Sequence, residues 1–224
     1  VDLSYMVRSA EVTTSTSTII LSDAANQVVF HHLGTSALVD YDTSYNALYD
    51  NASVLLAASY PLLSRMRAGG FAQVLARTHE SGGLTALDIG PAIGQPVTLD
   101  EIKPLLPHLD YLLANTHELT ALMGAESWQV AAESLLNAGA KHVVIKQGDA
   151  GAALWSQSER VTVPAYRVDA SVTVGAGDAF NVGLLYGLRE GQMPEQALRF
   201  GSALAALVVR DGVMQAPSLK DVLA

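Results

Sequence analysis

From Ser53 onward the chain alternates short apolar, β-type runs with longer helical ones, and this alternation restricts the fold more than any other feature of the sequence. Ser53–Ala58 reads as a strand, Leu62–Ser81 as a helix stopped by Gly82-Gly83, Leu84–Ile89 as a strand and Leu99–Pro107 as a short helical turn. Tyr111–Ala114 reads as a strand running straight into Asn115. Helices over Glu118–Met123 and Trp128–Ala138 follow, the second with Gly139 as its C-cap. His142–Lys146 is a further strand, and Ala152–Ser156 with Arg160–Val163 form a hairpin. A helix spans about Ala179–Arg189, and Pro194 opens a last long helix to about Arg210. Strands that alternate with helices predict an α/β fold, a mainly parallel sheet covered on both faces.

The N-terminal part is different. Residues 11–22 are rich in β-branched types, Asp23-Ala-Ala-Asn26 is a turn signal, and Gln27–His32 reads as the returning strand of a hairpin. His31 and His32 are adjacent on that strand and point to opposite faces, so they form no two-ligand metal clamp. After Gly34, Tyr41–Asp50 reads as a short helix. The remaining histidines, His79, His108, His117 and His142, show no metal-ligand spacing and read as surface or capping residues.

Composition excludes several functions. A net charge of −9 argues against a nucleic-acid surface, and an anionic substrate would need a local positive field. There is no cysteine, hence no disulfide and no thiolate metal site. No apolar run has the length of a membrane span and no signal peptide opens the chain, so the cytoplasm is the expected compartment.

The chemistry gathers in Val172-Thr-Val-Gly-Ala-Gly-Asp178-Ala-Phe-Asn-Val-Gly183. It reads as a strand, a tight glycine turn, and a helix opening under Asp178. Glycines let bare amide groups approach a ligand, and the helix N-terminus adds unpaired N–H groups and partial positive charge. A carboxylate among those amides suits a general base for an attacking hydroxyl while the amides hold phosphate oxygens. Taken alone, the same spacing describes an ordinary helix cap equally well. In a doubly wound sheet ligands collect beyond the carboxyl ends of the strands, and Asn115, Glu118, Gly148 and Gly175–Asp178 all follow expected strands directly. A dinucleotide-binding oxidoreductase is disfavoured, since Gly175-x-Gly177 lacks the third glycine, and no Gly-x-x-x-x-Gly-Lys-Ser/Thr loop exists.

Gly175-Ala-Gly-Asp178-Ala-Phe-Asn resembles the C-terminal signature of the ribokinase-like (PfkB) carbohydrate kinases. Asn115-Thr-His-Glu118, Lys146-Gln-Gly148-Asp-Ala-Gly151 and the helix around Ser202-Ala-Leu-Ala-Ala206 agree with that family in order and spacing. The resemblance implies a three-layer αβα sandwich with part of a small β lid. Residues 1–35 would be the remnant of the lid and 36–224 the nucleotide-binding and catalytic domain. It implies ATP-dependent transfer to a hydroxyl of a sugar or nucleoside, with Asp178 as base and the Gly175, Ala176 and Gly177 amides stabilising charge. It places Asn115, Lys146, Gly148, Gly151 and Ser202 at the nucleotide and Glu118 at Mg²⁺, although Lys146 reads equally as a solvated strand-end lysine. Mg²⁺ keeps several waters and needs few carboxylates, which suits a lone Glu118.

Two departures stand out. The family usually has Asp where this chain has Val172, so binding of a monovalent cation is not expected, and Ser202 stands where Asn is common near the adenine. Measured against the family, roughly a quarter of the length would precede Val1, with the first sheet strand, a sugar-binding aspartate and a Gly-Gly sugar loop. Two readings therefore stay open: an active kinase, or a nucleotide-binding remnant that lost the sugar half. An unfilled sheet edge invites pairing, which admits a homodimer.

Overall fold

The computed structural model describes residues 5–6, 8–21, 27–90, 96–169, 173–211 and 217–223. The turn expected at Asp23–Asn26 and the position of Val172 lie outside these residues. β1 (Thr16–Leu21) and β2 (Gln27–His32) pair antiparallel as a separate two-stranded sheet. His31 Nδ1 pairs with Ser17 Oγ at 2.8 Å and His32 Nε2 with Thr13 Oγ1 at 3.3 Å, so both rings serve the hairpin itself.

The body then follows in chain order: α1 (Asn46–Asp50), β3 (Val54–Ala57), α2 (Phe71–Glu80), β4 (Leu84–Asp88), α3 (Leu99–Ile102), β5 (Tyr111–Asn115), α4 (Thr116–Met123) and α5 (Trp128–Asn137). β6 (His142–Lys146), β7 (Ala152–Ser156), β8 (Arg160–Val163), α6 (Ala176–Arg189), α7 (Pro194–Asp211) and α8 (Leu219–Leu223) complete it. One six-stranded sheet runs in the order β3-β4-β5-β6-β7-β8. β3 to β6 are parallel, and β7 runs antiparallel to both its neighbours, β6 and β8.

Alternate residues of the central strands enter different cores, which is why the middles of these strands are apolar. Leu87, Leu112, Val143 and Ile145 face Leu75 of α2, Leu119 of α4 and Leu135 of α5. Ala86, Leu113, Val144 and Leu154 face Phe180 and Leu184 of α6 and Leu198 of α7. The result is the expected αβα sandwich.

At the N-terminal end of the parallel strands a polar cluster closes the sheet. Asp110 Oδ2 accepts the Thr85 N–H at 3.0 Å, while Asp110 Oδ1 accepts from Lys141 Nζ at 3.1 Å. Thr85 Oγ1 donates to the His108 carbonyl at 2.7 Å, and His142 Nδ1 lies 2.9 Å from the Asp110 carbonyl. Burial alone would push the Asp110 carboxyl up, but the Thr85 amide, Lys141 and His79 outweigh it and hold it below its ordinary range.

Three expectations need correction. The helix read over Leu62–Ser81 is interrupted by a π-type turn at Met66–Gly70, in which Gly69 takes φ 144° and cannot continue a helix, so α2 starts only at Phe71. Among the described residues Thr173 and Val174 are not strand, so none runs directly into the glycine turn; residues 170–172 lie outside the described residues. The signature helix begins at Ala176, three residues before Ala179, because Gly175 takes φ 83° and acts as the N-cap. Gly175–Asp178 therefore do not directly follow a strand.

α6 and α7 pack without side chains between them at one crossing. A Cβ on Gly183 would lie 2.8 Å from Gly201 Cα, and a Cβ on Gly201 would lie 2.8 Å from the Phe180 carbonyl oxygen. Glycine at both positions lets the backbones touch.

Candidate active site

Three parallel strands end in side chains that can meet a ligand: Asp88 on β4, Asn115 on β5 and Lys146 on β6. Asn115 and Lys146 are register partners, which brings adjacent strand ends to the same level.

Asn115 opens α4 with a reciprocal cap. Its Oδ1 accepts the Glu118 N–H at 2.8 Å, and Glu118 Oε2 accepts the Asn115 N–H at 2.8 Å. The Asn-x-x-Glu spacing thus has a complete local explanation, and Glu118 is half-buried rather than at an open helix start. Burial pushes the Glu118 carboxyl up; the Asn115 amide and Lys146 pull it down, and the negative charge of Asp88 pushes it up again, for a net rise.

Asp88 is the residue that sequence reasoning missed. It is only 6% exposed, and its carboxylate gathers three donors. Lys146 Nζ lies 2.6 Å from Oδ2, Asn181 Nδ2 donates to the same oxygen, and the Gly90 N–H donates to Oδ1 at 3.1 Å. Lys146 is accordingly not a solvated strand-end lysine. Its ammonium is 15% exposed and paired with a carboxylate that is 8% exposed. Asn181, fully buried on α6, was also missed; its Oδ1 has no partner among the described residues.

The glycine turn supplies a second positive element. Gly175 has no side chain to cap α6, so the N-cap residue gives the first-turn amides of this 14-residue helix no partner, although the Ala176 N–H donates to the Thr173 carbonyl at 3.2 Å. Lys146 Nζ is 3.6 Å from the point a Cβ on Gly177 would occupy, which puts the ammonium against that first turn. Asp178 is exposed at the third position of the helix.

A pocket of about 630 Å³ lies beside this turn. Lys146, Gly148, Gly151, Ala176, Gly177 and Ser202 all line it, which unites six of the residues singled out from the sequence. Phe180, Ala205 and Val209 supply apolar wall, and the buried Ser202 supplies a hydroxyl. Gly175, Asp178, Asn115 and Glu118 do not line it. Glu118 reaches it only through the charges it shares with Asp88 and Lys146. Gly151 also has a structural duty: at φ 104° a Cβ there would collide with the Val163 carbonyl. Among the described residues no cluster of three or more His, Asp or Glu side chains could hold a metal, and no helix is long and apolar enough to cross a membrane.

Fold and site together define a ribokinase-type αβα sandwich with a pocket beside the carboxyl end of β6 and the first turn of α6, lined by Lys146 and Arg167 and by Asp149 and Asp169. Residues 1–221 match the family model described as pfkB family carbohydrate kinase, and the chain belongs to that family. An uncharacterized sugar kinase of Archaeoglobus fulgidus is 27% identical over 212 residues, covering 92% of this chain and 80% of that protein. Ribokinase of Arabidopsis thaliana is 31% identical over 160 residues, which is 67% of this chain but only 41% of the plant enzyme. A solved structure of Arabidopsis thaliana ribokinase complexed with ribose and ATP superposes with a TM-score of 0.77 at 26% identity, covering 95% of this chain and 69% of that one.

Proposed function

We propose that the protein transfers the terminal phosphoryl group of ATP to a hydroxyl of a sugar or a nucleoside. The observation that carries this is the side-chain-free N-terminus of α6, with Asp178 on its first turn and Lys146 against it at the mouth of the pocket. The pocket takes the nucleotide, its apolar wall meeting the base and its Lys146 end meeting the phosphates. The acceptor oxygen attacks the γ-phosphorus, its proton passes to the Asp178 carboxylate, and the bond from that phosphorus to the bridging oxygen breaks, leaving ADP. The amides at Gly175 and Gly177 and the Lys146 ammonium stabilise the charge that builds on the phosphoryl oxygens, and the Ala176 amide joins them only by leaving the Thr173 carbonyl.

Mg²⁺ fits the donor set. The carboxylates of Asp88 and Glu118 feel one another, and a single ammonium, Lys146, balances them. That leaves one negative charge unmatched, and Mg²⁺ is commonly held by one or two carboxylates with phosphates and water. Glu118 and Asp88 would hold the ion, and when bound it neutralises phosphate charge. Valine at 172 cannot ligate a cation, so no potassium requirement is proposed. Residues 1–35 would act as part of a lid over the acceptor and 36–224 as the catalytic body.

Asp178→Asn tests the assignment. It keeps shape and removes the base, so turnover should fall by about 10²–10⁴-fold while ATP affinity holds or rises. Turnover at the parent rate would reduce Asp178 to a helix cap. ATP binding without transfer to any sugar or nucleoside would refute the transfer step and leave nucleotide binding alone.

A further inference from the structure

We propose that Lys146 and a divalent cation are alternative counter-ions of Asp88, so that a cation arriving there releases the Lys146 ammonium to a nucleotide's phosphate chain. This rests on the kinase reading for the identity of the ligand. Positive charge is short at these strand ends. Asp88 is buried and Glu118 half-buried; Lys146 is the ammonium that faces both, and His117 adds a weaker pull on Glu118 alone. Asp88 cannot discard its counter-ion, because a buried carboxylate left unpaired is costly.

Lys146, in turn, is bound by one strong contact, 2.6 Å to Asp88 Oδ2. An ammonium has three donors, and among the described residues its other two have no hydrogen-bond partner. It stands at the pocket wall and against the first turn of α6, on a flexible four-carbon stem. A divalent ion prefers a carboxylate oxygen to every other group here. Placed on Asp88, it would make the Lys146 contact redundant, and the freed ammonium would join the α6 amides facing the pocket. Asn181 and Gly90 would keep the carboxylate in place throughout.

The test uses the chain as it stands, with ADP as probe, titrated calorimetrically in EDTA and in excess MgCl₂, and with Mg²⁺ titrated alone. Asp88→Asn removes the competing carboxylate, so ADP should bind about tenfold tighter in EDTA, the scale of one charged hydrogen bond. That gain should shrink to less than about threefold when Asp88→Asn is made in a Lys146→Met background. Lys146→Met alone should bind Mg²⁺ about tenfold tighter, since the ion no longer displaces an ammonium. The proposal is overturned if Asp88→Asn weakens ADP binding, which would make Asp88 a support for the ammonium instead of a competitor. It is equally overturned if the gain survives undiminished in the double variant, or if Lys146→Met leaves Mg²⁺ affinity unchanged. Should Lys146→Met fail to fold around its unpaired carboxylate, Asp88→Asn and the double variant lack that charge and decide alone. A wild-type chain that binds no ADP in either buffer would refute the kinase reading, while the Mg²⁺ titrations would still judge this one.

Discussion

Gly201→Ala measures how closely the two helices behind the pocket are packed. The added methyl would stand 2.8 Å from the Phe180 carbonyl oxygen, 3.1 Å from Leu184 N and 3.2 Å from Phe180 Cδ2. Two of these are backbone atoms that cannot rotate away, so the helices must part by several tenths of an ångström. Overpacking of this kind costs up to about 3 kcal/mol. Alanine is the better helix former by about 1 kcal/mol, which offsets part of it. The net loss is about 2 kcal/mol, and at about 2–4 °C per kcal/mol for a chain of this size the melting temperature should drop by about 4–8 °C. Ser202, Ala205 and Val209 follow on α7 and line the pocket opposite Ala176, Gly177 and Phe180, so ADP affinity should fall with stability. Calorimetric melts and ADP titrations of the variant are the assay. A melting temperature equal to or above the parent's would show that the helices do not touch as described, and the close-contact reasoning would fail with it.

Glu118→Gln should separate stability from function. Glutamine can keep the cap with Asn115, and it removes a carboxylate whose pKa is raised by burial and by Asp88. A raised pKa means a contribution that is full below the ordinary value of 4.5 and lost as pH rises through the folded one. The variant should therefore melt at or above the parent at pH 7 and level with it near pH 4, while Mg²⁺ binding weakens by at least about tenfold; a lower melting point at pH 7 refutes the burial argument. Asp110→Asn has the opposite sign, because its pKa is lowered: its contribution is present above the ordinary 3.8 and lost as pH falls through the folded value. It should cost about 1–3 kcal/mol at neutral pH and progressively less in acid, measured by denaturant melts at each pH. Exchanging sodium for potassium should alter turnover little, and strong potassium activation would show that Val172 does not abolish a cation site.

The periodic parts of the chain were legible because they are local. Parallel strands buried on both faces must be apolar through their middles, and β4, β5 and β6 carry apolar centres (Ala86-Leu87, Leu112-Leu113-Ala114, Val143-Val144-Ile145) between polar ends. Gly148, Gly177 and Ser202 were legible through the resemblance of their surroundings, not through spacing. Asp88 was not, because it closes an apolar run and its partners Lys146 and Asn181 lie 58 and 93 residues further on. No spacing rule spans such distances; only the stacking of strand ends brings them together. Asn181, three residues after Asp178 on one helix face, carried a faint local signal. The start of α6 was misplaced because Ala176-Gly177 looks like loop, whereas a glycine at a positive φ one residue earlier ends the turn and frees both for the helix.

The polar cluster at the far end of the sheet has a consequence for how such a protein can change over generations. Thr85, Asp110 and Lys141 precede or open the same strands that Asp88, Asn115 and Lys146 close, so each strand carries an anchoring end and a reactive end. Losses of folding free energy caused by reshaping one end can be made good at the anchoring end, about three to five residues away along the same backbone, without touching the other. Changes at the carboxyl ends and selection on durability thus act on separate sets of side chains, and a lineage can remodel the carboxyl ends of its strands while its sheet stays intact.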